Sequence, residues 1–204
     1  MFYDARRNDH GLQLSPFKAL VVPRPIAWVT SISPNGVVNL APYSYFNAMS
    51  EDPMMICFGP GGSKADRPMK DTRANIEATG EFVVNLATWD LREQMNATSA
   101  KLPAETDEMK HAGLSPAPSR LVKPPRVAES PVHLECRYWK TIELPTNDPR
   151  EPNASIFGEV IGIHIRDDLI VNGRVDITRA KPIARLGYSE YTVVEKTFSM
   201  RRPG

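Results

Sequence analysis

The sequence predicts a mainly β fold, in which an antiparallel sheet closes, or nearly closes, into a barrel with a few helices at its periphery. Seven short runs rich in Val, Ile, Phe or Tyr recur along the chain, bounded by Gly, Pro or Asn as strands generally are. Helical patterns are few. Closure would also remove the exposed edges that so many short antiparallel strands otherwise present.

The first two runs, Ala27 to Ile32 and Val37 to Ala41, flank Ser33-Pro34-Asn35-Gly36. Pro at the second and Gly at the fourth position are the composition of a type I turn, so a hairpin is expected. The remaining runs are Met54 to Phe58, Phe82 to Leu86, Pro131 to Ile142, Ser155 to Ile165 and Leu169 to Val171. A helix is expected over Thr72 to Thr79, with Asp71 or Thr72 as N-cap and Gly80 as its stop. Another follows Asp90, where Leu91 and Met95 share a face, and a short one runs through Glu105 to His111, with Gly113 near its end. Prolines gather between Pro103 and Pro152, which reads as an extended surface path and not a second domain. At 204 residues and 41% hydrophobic content, one domain spanning 1–204 is expected, with that Pro-rich excursion at about 103–152.

Charge excludes some partners. Lys plus Arg total 25 against 24 Asp plus Glu, so no net field draws the chain to nucleic acid or an anionic membrane. No apolar run approaches the roughly 18 residues of a spanning helix, and the first residues lack a signal-peptide core, so a cytoplasmic location is expected. Cys57 and Cys136 lie in separate strand-like runs and read as buried structural thiols, with no metal site expected.

Two segments suggest a ligand. Tyr43, Ser44, Tyr45, Phe46 and Asn47 crowd hydroxyls, rings and an amide into what reads as a loop after the second strand, an inventory suited to a flat, heteroatom-edged molecule. Lys64, Arg67, Lys70 and Arg73 recur every three residues, but Pro68 argues for a basic loop feeding the helix that starts near Asp71. A helix start beside such a loop, with the Ser63 and Thr72 hydroxyls, favours a bound phosphate. The same residues also read as a solvated charged loop with an ordinary cap. No nucleophile, base and acid arrangement appears, and His133 and His164 read as satisfied barrel residues.

The ordered set RPIAWVTSIS, NLAPYSYFN, KDTRANIEATGEFVVNL, DEMKHAGLSP, PPRVAESPVHLEC, FGEVIGIHI and ARLGYSEY resembles the flavin reductase-like family of FMN-binding split β-barrels, from about Pro16 to Pro203. The resemblance implies a six-stranded antiparallel Greek-key split barrel and a homodimer with noncovalent FMN at the subunit interface. It places Thr30, Ser31, Ser44, Tyr45, Phe46 and Asn47 along the isoalloxazine, and Ser63, Lys64, Lys70 and Thr72 around the phosphate, with Arg67 and Asp71 nearby. The implied activity is an NAD(P)H-dependent flavin reductase, carrying hydride from NADH or NADPH to flavin N5 with no catalytic side chain. A monooxygenase component or an electron-transfer protein would be its partner. The alternative is an FMN-binding electron carrier of flavoredoxin type, reduced by a protein. Tyr188 stands where many relatives have a second Gly, and packing is the expected role of its ring.

Overall fold

The computed structural model describes residues 1–63, 69–103 and 105–204. Seven strands form the main sheet: β1 (Ala27–Ile32), β2 (Val38–Tyr43), β3 (Phe46–Glu51), β4 (Met54–Phe58), β5 (Glu81–Leu86), β6 (Val132–Leu144) and β7 (Asn153–Ile165). Every pairing is antiparallel, in the order β2-β1-β5-β6-β7-β4-β3. The outermost strands of that order, β2 and β3, are consecutive in the chain, separated by Ser44 and Tyr45 alone. The sheet must therefore curl until its two edges meet at this link, and since the ladder ends at each edge, the result is a barrel that is split there.

The predicted hairpin is present, closed by a hydrogen bond from the Gly36 N–H to the Ser33 carbonyl at 2.9 Å. The main sheet has seven strands where the resemblance implied six, and β3 is the one that the sequence predicts as loop. Five of its six residues are exposed, so it lacks the apolar alternation by which a strand is recognised. The run Leu169 to Val171 also differs: Leu169 closes a 3-10 turn, and Ile170–Val171 pairs with Arg174–Val175 outside the main sheet.

Alternation along β1 divides the core in two. Ala27 and Val29 face the barrel interior with Phe58, Phe82, Cys136 and Ile156. Trp28 and Leu40 face outward, under Met95, Met109 and Ile183. The buried Trp28 Nε1 donates to Thr98 Oγ1 at 2.9 Å, which satisfies its one polar atom. Burial pushes the Cys136 thiol up, as for an inert core sulfur.

Among the described residues, four α-helices flank the sheet. α1 (Phe17–Leu20) is a single turn. α2 (Asp71–Thr79) begins after an extended Lys70 and stops at Gly80, whose left-handed φ of +76° lets its N–H reach the Ile76 carbonyl at 2.8 Å. Neither Asp71 nor Thr72 caps it: the N-cap position is Lys70, and no side-chain cap bond forms. In α3 (Arg92–Ala97) and the residue before it, Leu91 and Met95 both enter the outer core, as their spacing predicts. α4 (Glu108–His111) is shorter than expected and opens with the Asp107 carboxylate accepting from the Lys110 N–H. The Pro-rich region is only partly an extended path, because it holds α4, a small ladder of Pro116–Ala117 with Arg126–Val127, and β6. A separate three-stranded sheet joins Arg24–Pro25, Ile183–Arg185 and Tyr191–Val193. Among the described residues, no helix is long and apolar enough to cross a membrane.

Candidate functional site

The site is built where the end of β2 meets the start of α2. Asn39 Nδ2 donates to Thr72 Oγ1 at 2.8 Å and to Ser31 Oγ at 3.4 Å, while the Tyr43 hydroxyl donates to Thr72 Oγ1 at 2.8 Å. Asn75 Nδ2 donates to Ser31 Oγ at 3.3 Å. With both lone pairs of Thr72 engaged, only its hydroxyl hydrogen is left to interact further, as a donor. Burial is the main cause pushing the Tyr43 phenol up, so it stays a neutral donor across the physiological range.

A groove of about 730 Å³ runs over the β2–β3 link, lined by Tyr43, Ser44, Tyr45, Gly59, Gly61 and Phe17 among others. Pro42 and Tyr43 also line a smaller depression of about 90 Å³ at Lys70 and Thr72, so the two adjoin across these residues. Beyond Gly61, Gly62 takes a φ of +92°, a conformation that suits glycine. There the Ser63 N–H and hydroxyl both donate to the Glu151 carboxylate, each at 3.3 Å. A Cβ on Gly62 would lie 3.3 Å from Glu151 Oε2 and 3.7 Å from Lys70 Cε, which locates the Lys70 stem beside this carboxylate. Ser63 donors thus meet an anionic group, with the stem of Lys70 alongside.

The sequence-predicted residues divide by position. Ser44 and Tyr45 line the groove, Lys70 and Thr72 line the adjoining depression at the start of α2, and Ser63 lies at Glu151 next to the Lys70 stem. Phe46 instead packs against the barrel core, and Asn47 is exposed on β3 in register with Cys57. The expected loop of Tyr43 to Asn47 is in fact a two-residue link between strands. Thr30 and Ser31 are both fully buried, and the Thr30 hydroxyl accepts from Asn85 Nδ2 at 2.8 Å on the face opposite Ser31. Lys64, like Arg67, lies outside the described residues.

Sequence reasoning missed Asn39, Glu151 and Arg185. Asn39 carried a signal, a polar residue on the inward face of a strand. Glu151 sits in NDPREPN, where nothing separates it from its charged neighbours. Tyr188 is not packed within one chain: the residue is 46% exposed and lines a depression of about 320 Å³ with Ser44, Tyr45, Arg24 and Arg185. Its φ of +54° explains why a glycine suits this position.

Comparison with known proteins agrees with this architecture. The family model described as flavin reductase like domain matches residues 19–180. An uncharacterised protein of Halalkalibacterium halodurans is 38% identical over 183 residues, covering 90% of this chain and 87% of its own. Among solved structures, nitrilotriacetate monooxygenase component B from Bacillus cereus is 30% identical with a TM-score of 0.87, covering 98% of each chain. The 2-nitrobenzoate 2-nitroreductase of Pseudomonas fluorescens is 30% identical with a TM-score of 0.79, covering 92% of this chain and 88% of its own. With a split barrel, a groove at the link between its edge strands and a family model matching most of its length, the chain belongs to the flavin reductase-like family.

Proposed function

We propose that the protein is an NAD(P)H-dependent flavin reductase of the cytoplasm, binding FMN noncovalently and passing electrons to a monooxygenase component. The observation that carries this reading is the adjacency of two depressions, a groove over the Ser44–Tyr45 link and a smaller one at Lys70 and Thr72, which share Pro42 and Tyr43 as walls. A tricyclic ring with a phosphate tail needs a slot with polar edges at one end and an anion-holding pocket at the other, and the residues present fit both demands. The Glu151 carboxylate marks the anion position and would give way to the phosphate.

Bound FMN would supply the hydride acceptance. The chain itself would bind and orient. Backbone groups of Ser44 and Tyr45 would border the ring, while Lys70, Ser63 and Lys64 would hold the phosphate. Asn39 and Tyr43 fix the Thr72 rotamer so that its hydroxyl can only donate outward. Ser31 supports Asn39 from beneath, and Thr30 supports Asn85, so both serve this region through buried hydrogen bonds. Phe46 and Asn47 start β3, anchoring the link from its far side. Orientation of two reactants can lower a barrier by about 7 to 11 kcal/mol at best alignment, which leaves no need for an acid or base.

The direct test mixes purified protein with FMN and follows the flavin absorbance band after NADH or NADPH is added. Bleaching is expected; its absence with both donors would sink the reductase reading, and bleaching only by a reduced protein would favour the electron carrier. Replacing Lys70 with alanine is expected to weaken FMN binding at least tenfold while leaving riboflavin, which lacks the phosphate, nearly unchanged. Equal losses for the two ligands in a fluorescence titration would remove Lys70 from the phosphate end.

A homodimer is part of the proposal. Trp139, at 62% exposure, and Met49, Met54, Ile142 and Leu144 are exposed apolar side chains of β3, β4 and β6 that a second copy would cover. Sedimentation at micromolar concentration should give twice the chain mass of 22.8 kDa. A monomer that still holds FMN would overturn this.

A further inference from the structure

A second cavity, of about 700 Å³, lies beside the proposed flavin groove. Trp89 and Arg92 form one wall, Ile183 and Arg185 another, and Tyr191 and Thr192 a third. Two cation and ring pairs shape it. The Arg92 guanidinium lies 4.1 Å from the Trp89 ring centre, and the Arg185 guanidinium 4.4 Å from that of Tyr191. Trp89 and Tyr191 remain 44% and 38% exposed, so wide ring surface borders the cavity. Arg92 Nη1 donates to the Trp89 carbonyl at 2.7 Å and Arg185 donates to the Tyr191 hydroxyl and the Tyr188 carbonyl, which holds both guanidiniums in place. Arg92 also meets Glu93 at 3.4 Å, but the Glu93 side chain is 76% exposed and that pair is an exposed one, weak enough for an anion to replace.

The cavity adjoins a depression that reaches the link between the barrel edges. Met95, Asn96, Arg185 and Tyr191 line both the cavity and a depression of about 140 Å³ that reaches Pro42 and Ser44. Arg185 further lines the depression at Tyr45 and Tyr188, so this one side chain borders the cavity and both depressions that lie between it and the groove. A planar aromatic surface beside two fixed guanidiniums matches a heterocyclic base carrying a diphosphate, because guanidinium forks bind phosphate oxygens in pairs and ring faces stack a base.

We propose that this cavity holds the adenosine diphosphate end of the nicotinamide donor, with Arg92 and Arg185 on the phosphates and Trp89 beside the base, while the nicotinamide reaches past Ser44 to the flavin groove. This assignment rests on the reductase reading, and it locates a dinucleotide site without any glycine-rich phosphate loop. The probe is ADP-ribose, which carries the same end without nicotinamide, titrated by calorimetry into the protein and its variants. Saturable binding is expected, weakened about tenfold by Arg92→Ala and partly restored by Arg92→Lys, which keeps the charge but not the planar fork. In turnover with FMN, Arg92→Ala should raise the KM for the donor about tenfold with kcat little changed. Arg92 is on the surface of a short helix with its side chain 40% exposed, so folding should survive, and an unchanged circular dichroism melt would show it. If the wild type turns over NADH or NADPH but binds no ADP-ribose, or Arg92→Ala leaves both ADP-ribose affinity and KM unchanged, the assignment is overturned while the reductase reading stands. If neither donor bleaches the flavin, the reductase reading falls by itself, and ADP-ribose binding sensitive to Arg92 would still support an adenine nucleotide site here.

Discussion

Gly158→Val is expected to destabilise the protein by about 3 kcal/mol or more, the upper end of what overpacking a core costs. Gly158 lies on β7 beside a break in register with β6, and a Cβ built there would sit 2.4 Å from Phe82 Cζ, 2.7 Å from Phe82 Cε1 and 3.2 Å from the Arg137 carbonyl. No real Cβ tolerates the first two distances, and Phe82 has nowhere to retreat. It is fully buried and its ring meets Phe58 edge-on at 5.7 Å, while Phe58 meets Tyr43 at 5.3 Å. Displacement would therefore pass along a row of rings to the residue that orients Thr72. Urea unfolding monitors the stability, and a midpoint shift worth under about 0.5 kcal/mol would refute the packing argument. Combining Gly158→Ala with Phe82→Leu should cost less than the sum of the two single changes, because the shorter side chain makes the room that the methyl needs.

Acid should remove a comparable amount of stability through His133. This side chain is 3% exposed, its Nε2 donates to the Val127 carbonyl at 2.8 Å, and its Nδ1 lies 3.4 Å from Arg126 Nη1. Burial is the main cause that lowers its pKa from 6.5 to about 4. Arg126 and His164 add to the shift, while the Val127 hydrogen bond and Glu135 oppose it. The folded state thus holds His133 neutral while the unfolded chain takes up a proton below about pH 6.5, so the unfolded state binds more protons and stability falls with falling pH. The loss accumulates between about pH 6.5 and 4 and reaches about 3 kcal/mol at 1.36 kcal/mol per unit. Glu135 adds a later loss: despite burial, the Arg120 N–H, His164 and the Leu121 N–H hold its carboxyl below the usual range, so its share disappears only as pH drops through that lowered value. His133→Gln keeps a donor for Val127 and should flatten the dependence between pH 6.5 and 4. A slope equal to that of the wild type would rule His133 out.

Much of the barrel was legible because its inner strands carry the signals that burial imposes. Ala27 to Ile32 and Met54 to Phe58 have the observed bounds, and Gly80 stops α2 as its φ requires. β3 was not legible, since an edge strand exposed on both faces needs no apolar pattern. The site was half legible. Ser44, Tyr45, Lys70 and Thr72 announced themselves by composition and by the start of a helix, yet the partners that orient them come from distant parts of the chain. Asn39 meets Thr72 across 33 positions and Glu151 meets Ser63 across 88, and only the folded sheet sets such pairs side by side. Thr30 and Ser31 show the converse. The family resemblance set them along a ligand, and in the fold their hydroxyls meet the hydrogen-bonding needs of buried asparagines.

The seam between β2 and β3 has a mechanical consequence. Every other neighbouring pair in the sheet is fastened by a ladder, whereas these two edges share only the tether of Ser44 and Tyr45. A molecule lodged over that tether acts as a clasp across the one unlaced side of the barrel. Its binding energy then resists the opening of the edges, so occupancy and closure reinforce each other, and at a hundredfold excess over Kd the added stability is about 2.7 kcal/mol. The empty protein would breathe along this seam first.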